Sequence, residues 1–182
     1  QNAIDQTECG GTLIVEGGTY EESIVIHKCI TIQVADEGRG RIRVTRGTDI
    51  DLNERDNSEC GDCVHVILDG FDFEAESSDE SVISVNPNGG QYLVETLQIT
   101  NSNLNGVNNS GGQYALVGSN IENLHISASA IINSTGISII GGSVDGHVIS
   151  ENSFEENIHN MDVSEDCSGI LNAELNWWGS TE

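Results

Sequence analysis

One short pattern recurs along the chain and constrains the fold more than any other feature. An apolar residue is followed by four mostly small or polar residues and then by a second apolar residue. The copies read Leu68–Phe73, Ile99–Leu104, Ile126–Ile131, Ile149–Phe154 and Ile170–Leu175. The offset inside each copy is constant at five, while the intervals between copies shorten from 31 to 27, 23 and 21 residues. A constant offset with variable intervals describes a fixed corner with loops of differing length elsewhere. A solenoid has that property, because every coil must stack on its neighbour while insertions leave from one side.

The residue types select the kind of solenoid. Ile and Val together number 35, against 17 for Leu and Ala. Branching at Cβ favours pleated strands over helices. The 21 Gly and 18 Asn supply residues that tolerate tight turns. No window shows a helical period, and leucine-rich ladders are absent. The predicted fold is therefore an all-β, single-stranded parallel β-helix of roughly six or seven coils, one domain over residues 1–182. Predicted strands include Thr12–Val15, Cys29–Val34, Arg41–Thr45, Val64–Leu68, Leu93–Thr100, Gly136–Ile140 and Met161–Val163. Coils would stack at the strand spacing of about 4.8 Å.

Two segments carry a family resemblance. Residues 10–27, GGTLIVEGGTYEESIVIH, resemble the opening coil of right-handed parallel β-helices of the pectate-lyase-like superfamily, with Gly17 at a position usually held by Pro. Residues 172–179, NAELNWWG, resemble an element common near the final coil of these proteins. The nearest likeness is to the NosD-like, carbohydrate-binding-and-sugar-hydrolase repeat group. The resemblance implies right-handed coils, but the fold hosts lyases, hydrolases, adhesins and structural parts alike.

Charge narrows the functions. The net charge is −24, from 30 acidic and 6 basic residues, and no Lys or Arg follows Arg55. That excludes an electrostatic nucleic-acid binder and an anionic membrane surface as partners. No apolar run is long enough to insert into a membrane. A uronate substrate would be repelled by the acidic coils. The stripe Arg39, Arg41, Arg43 and Arg46 is expected to pair with neighbouring acids. Asp72, Glu74, Asp145 and His147 are the only acid–base sets worth testing for glycoside cleavage, and paired-Asp hydrolase motifs are missing. The chain is therefore expected not to be an enzyme.

Other candidate sites follow from spacing. Asp49, Asp51, Asn53 and Asp56 begin like a calcium loop, but Glu54 replaces the required Gly and Cys60 the closing Glu. An irregular Ca²⁺ site remains a candidate there, and with it a calcium-dependent adhesin. The five cysteines, Cys9, Cys29, Cys60, Cys63 and Cys167, are disulfide candidates whose pairing the sequence leaves open. Cys9 and Cys29 lie about one coil apart, and Cys167 is the candidate for the odd thiol. Asn108 and Asn133 begin N-glycosylation sequons. An opening residue other than Met, the cysteines and the fold together lead to an expected extracellular or cell-surface location.

About ten residues precede the first strand, too few for a substantial capping helix. Trp177 and Trp178 are expected to pack at the final coil and, with Cys167, to form an assembly interface. The leading expectation is a secreted structural protein that self-assembles through its coil ends into a layer, sheath or filament, with copies of itself as partner. A carbohydrate-binding module, or the remnant of a sugar-acting enzyme, using Tyr92, Tyr114, Asp72 and Glu95, is the alternative, with a glycan as partner.

Overall fold

The computed structural model describes residues 1–35, 41–50, 65–75, 81–86, 93–106 and 113–179. One short helix, α1 (Asn2–Gln6), precedes strands laid down in successive circuits. The first circuit contains β1 (Gly11–Val15), β2 (Gly18–Tyr20) and β3 (Ile24–Ile26), the second β4 (Ile30–Val34), β5 (Ile42–Val44) and β6 (Thr48–Ile50). The third holds β7 (His65–Asp69), β8 (Phe71–Glu74) and β9 (Ile83–Val85), the fourth β10 (Val94–Thr100), β11 (Asn103–Asn105) and β12 (Leu116–Ser119). In the fifth lie β13 (Ile121–Ser127), β14 (Ala130–Ile132) and β15 (Ile137–Ile140), followed by a side strand, β16 (Gly142–Ser143). The sixth contains β17 (Val148–Ser150), β18 (Ser153–Glu155) and β19 (Met161–Val163), and β20 (Cys167–Ser168) pairs with β16.

Every circuit contributes one strand to each of three six-stranded sheets. The first sheet runs β1-β4-β7-β10-β13-β17, the second β2-β5-β8-β11-β14-β18 and the third β3-β6-β9-β12-β15-β19. All pairings in them are parallel. The chain is thus an all-β, parallel structure consistent with a β-helix. Part of a seventh circuit follows, where Asn172 bridges to Val148 and Trp177 to Ser153.

Register puts like residues over like. In the first sheet Leu13, Ile32, Leu68, Ile99, Ile126 and Ile149 form one inward column. In the second, Val44, Phe73, Leu104, Ile131 and Phe154 form another. All of these except Leu13, which is partly covered, are buried. The first four copies of the repeat are therefore neighbouring corners, each joining an inward residue of the first sheet to one of the second. The fifth copy is displaced. Asn172 sits beside Val148, so Ala173 follows Ile149 and Trp178 follows Phe154, at an interval of 24 residues rather than 21. The Trp178 ring stacks on Phe154 with centroids 4.7 Å apart.

The corner itself has two layers of design. Gly70, Asn101, Ala128, Glu151 and Leu175 occupy equivalent places, all with φ between 50° and 82°. Only Gly enters that left-handed region without steric cost. The next residue points inward and closes a hydrogen-bond ladder up the stack. Phe71 N donates to Ser102 Oγ at 3.2 Å, Ser102 N to Ser129 Oγ at 3.1 Å, Ser129 N to Asn152 Oδ1 at 3.0 Å and Asn152 N to Asn176 Oδ1 at 3.0 Å. Backbone donors that the bend removes from the sheets are thereby satisfied inside the core.

Two substitutions separate these contributions. Leu104→Ala, in the middle of its column, is expected to cost about 3 kcal/mol by leaving a cavity between Phe73 and Ile131. Ala128→Gly is expected to gain up to about 1 kcal/mol by relieving the left-handed strain. Urea unfolding of both variants beside the wild type measures the two.

Candidate functional site

Two arginines of the basic stripe, Arg41 and Arg43, pair with neighbouring acids, as expected. Arg41 Nε donates to Asp72 Oδ1 at 2.5 Å, and its Nη2 donates to the carbonyls of Phe71 and Asn101. Asn103 Nδ2 adds a bond of 2.6 Å to the same Asp72 oxygen. Arg43 pairs with Glu74 at 2.6 Å, and the hydrogen bond and charge of Glu74 raise the guanidinium pKa further. These partners lie on β5, β8 and β11, adjacent strands of the second sheet, so the charges meet across neighbouring coils. Arg39 lies outside the described residues.

The two candidate acid–base sets are not brought together, and within the first, Asp72 and Glu74 share the outward face of β8. Asp72 and Glu74 sit on β8 with the arginines. Asp145 lies between the fifth and sixth circuits, where its Oδ1 accepts from Ile170 N at 2.8 Å and its Oδ2 from Ser143 Oγ at 3.3 Å. His147 is buried in the core. Nor do the proposed sugar-face residues share a surface. Glu95 belongs to the first sheet, within 3.4 Å of His65, whereas Asp72 belongs to the second. The Tyr114 carbonyl accepts from Val82 N, and Tyr92 lies outside the described residues.

Asp49 is on β6 and faces outward, while Asp51, Asn53 and Asp56 lie outside the described residues. Among the described residues no group of three or more His, Cys, Asp or Glu is placed to hold a metal. Asn133 has φ 53° and donates from Nδ2 to Asn105 Oδ1 at 3.1 Å, with Ser134 and Thr135 of its sequon both buried. Asn108 is not among the described residues.

Cys9 is disulfide-bonded, but Cys29 is not its partner. The reason is register. Gly11 pairs with Ile30, an interval of 19 rather than 20, and Gly10 N donates to the Cys29 carbonyl at 2.9 Å. Cys29 therefore stacks beside Gly10, one residue away from Cys9, and a one-residue slip reverses the side-chain face. Cys29 is buried, and Cys167 is a half-buried thiol whose Sγ donates to the Ile139 carbonyl at 3.6 Å. Cys60 and Cys63 lie outside the described residues.

A polar cleft of about 310 Å³ was not foreseen. Ser23, Arg46, Gly47, Thr48, Asp49, Ser81 and Ser84 line it. These residues come from three circuits, and no contiguous motif marks them in the sequence. Ser23 Oγ donates to the Arg46 carbonyl at 3.0 Å, joining two of the circuits at the cleft wall.

The two ends of the stack differ. At the N-terminal end α1 does cap the core, although it has only five residues, because Ile4 is buried among the first-circuit residues. The Gln1 side chain ties the helix to the stack, and an apolar pocket lined by Ile4, Leu13, Val15, Ile32 and Phe71 remains beneath it. Gln1 Nε2 donates to Val25 O at 2.9 Å and its Oε1 accepts from Val25 N at 2.8 Å, mimicking a strand partner for β3. At the other end Ile170 is 81% exposed, Leu175 78%, Trp177 52% and Trp178 40%. Trp178 thus packs on one face and shows the other. The Trp177 side chain projects into solvent while its backbone holds Asn152 and Phe154.

No family model matches the chain, and neither a curated protein nor a solved structure matches it. No helix among the described residues is long and apolar enough to cross a membrane.

The uncompensated charge has a measurable consequence. Raising NaCl from about 0.1 M to about 1 M shortens the screening length from about 10 Å to about 3 Å. Self-repulsion of a −24 chain then weakens. The thermal midpoint followed by circular dichroism is expected to rise by several degrees over that range. A flat or falling midpoint would mean that the acids are locally compensated.

Proposed function

We infer that this chain is a right-handed parallel β-helix of the pectate-lyase-like type, acting as an extracellular structural module that self-associates through its C-terminal rim. The observation that carries the reading is the grouping of Ile170, Leu175, Trp177 and Trp178 in one partial coil, all exposed. Large exposed apolar groups gathered at one place mark interaction surfaces, and Trp is enriched among the residues that dominate binding. The adjacent edges of β17, β18 and β19 offer main-chain groups for strand addition.

The helix over the opposite end sets the geometry. With α1 lying across the first coil, the favoured contact is rim to rim between two copies, an isologous pair. A layer, sheath or filament then needs a second contact along the coil flank. Charge opposes the pair at low salt, since residues 113–179 contain acids but no Lys or Arg. Association is therefore expected to strengthen as salt is added.

Light scattering after size exclusion, over a concentration series at about 1 M NaCl, tests this. The double variant Leu175→Asn, Trp177→Thr is expected to weaken association at least about tenfold, as for loss of a buried aromatic anchor. Wild-type monomers persisting to about 1 mM, where even a free energy of about −4 kcal/mol gives pairing, would overturn the reading.

A second reading has its own support in the polar cleft. Its serine and threonine residues, with Arg46 and Asp49, suit a hydroxyl-rich ligand such as a sugar. Glycan-array binding that Ser84→Trp abolishes would favour it. An array without a binder would remove it.

A further inference from the structure

His147 stands where an aliphatic residue belongs. In the first sheet Ile30, Val66, Leu97 and Leu124 form an inward column beside the one already described. His125 pairs with Val148, which places His147 next after Leu124. The four aliphatic residues are buried, and His147 is itself only 1% exposed. Asn172 bridges Val148, so Leu171, packed on the core, closes the column below it. The backbone of His147 is fully engaged. Its N–H donates to Val144 O at 3.0 Å and its carbonyl accepts from Asn172 N at 3.2 Å. The ring Nδ1, in contrast, is buried with no hydrogen-bond partner.

An orphaned buried nitrogen costs stability that Leu or Ile at this position would not. Protonation makes the cost larger, because Nδ1 then becomes a donor and the ring a cation in an apolar column. We propose that His147 makes the C-terminal coils, residues 142–179, selectively open in mild acid, dismantling the exposed rim while the preceding coils stay folded. That this opening regulates self-association rests on the reading given above.

The charged surroundings do not rescue the cation. β13 contributes Glu122 and His125, and the preceding turn contributes Asp145, whose carboxylate is engaged by Ile170 N and Ser143. Residues 170–173 contribute no titratable group. Burial is the largest influence and lowers the His147 pKa. The Glu122 backbone carbonyl works against that, and His125 adds to the lowering. With the folded value below the ordinary 6.5, the opened chain takes up the proton first as pH falls. The stabilising contribution is complete above about 6.5 and is lost progressively below it, down to the folded-state value. The opening is local because, among the described residues, β17, β18 and β19 each have a full strand on one side only, and coils of a solenoid with fewer neighbour contacts open first.

Hydrogen exchange by mass spectrometry on the full chain, corrected for intrinsic rates, tests the proposal between about pH 7.5 and about pH 5.5, above the ordinary carboxylate range near 4. Fluorescence provides a second readout, since both tryptophans of the chain lie in this segment. The opening equilibrium of residues 142–179 is expected to rise by up to about tenfold per pH unit below about 6.5. Residues 65–75 and 93–106 are expected to stay protected. His147→Leu is expected to flatten the response, and His147→Gln to flatten it as well should the leucine variant not fold. His125→Asn is expected to retain it. An equally steep response in the His147 variants, or a loss spread evenly over all coils, would overturn the proposal. Light scattering on the same samples keeps the two ideas apart. A monomer at every pH with the predicted exchange pattern would remove self-association and leave the acid opening in place.

Discussion

Parallel hydrogen bonding between successive circuits is the interaction on which everything else depends. It demands that each residue sit over its counterpart one circuit earlier, so the core grows as columns rather than as a two-sided layer. Columns of Ile, Leu, Val and Phe satisfy that demand with little side-chain ambiguity. The corners impose a second demand, because a bend removes backbone donors from the sheets. Ser102, Ser129, Asn152 and Asn176 answer it by accepting those donors from inside the core. The left-handed residue before each of them makes the inward turn possible, at a steric cost borne by Asn101, Ala128, Glu151 and Leu175.

Vertical stacking also organises the polar surface. Arg41 and Arg43 meet Asp72 and Glu74 because adjacent coils bring β5 over β8, although about thirty residues separate them in sequence. Two cations of the early coils are engaged in this way. The later coils have no Lys or Arg. That asymmetry, together with the helix over the first coil and the exposed apolar residues after the sixth, makes the two ends of the described stack chemically different. His147 lies under the apolar end, so a proton and a partner would act on the same few strands.

Legibility in the sequence varied by sheet. The first and third sheets contain most of the predicted strands, since Ile30–Val34 or Ile137–Ile140 present runs of branched residues. The second sheet was mostly invisible as strand. Asn103–Asn105 and Ser153–Glu155 each have one buried apolar residue between two polar ones, too short for any alternation to register. The repeat nevertheless caught those residues, because Phe73, Leu104, Ile131 and Phe154 are its second apolar position. Ile170 and Leu175 imitated the pattern at the wrong spacing. Leu175 in fact fills the left-handed corner, where its side chain must point outward. The same one-residue sensitivity separated Cys9 from Cys29. The cleft at Ser23, Thr48 and Ser84 left no linear trace, because its walls come from different circuits.

The amino-acid sequence alone determined that the chain is all-β, that a five-residue corner recurs, and that its later coils are uniformly acidic. Those properties follow from local sterics and from counting charges, which need no distant partner. Register, the inward ladder, the docking of Ile4 and Gln1 on the first coil, and the burial of His147 were decided only by the tertiary structure. Each depends on which residues of separate circuits come to lie side by side, and loops of unequal length hide that alignment from any reading along the chain.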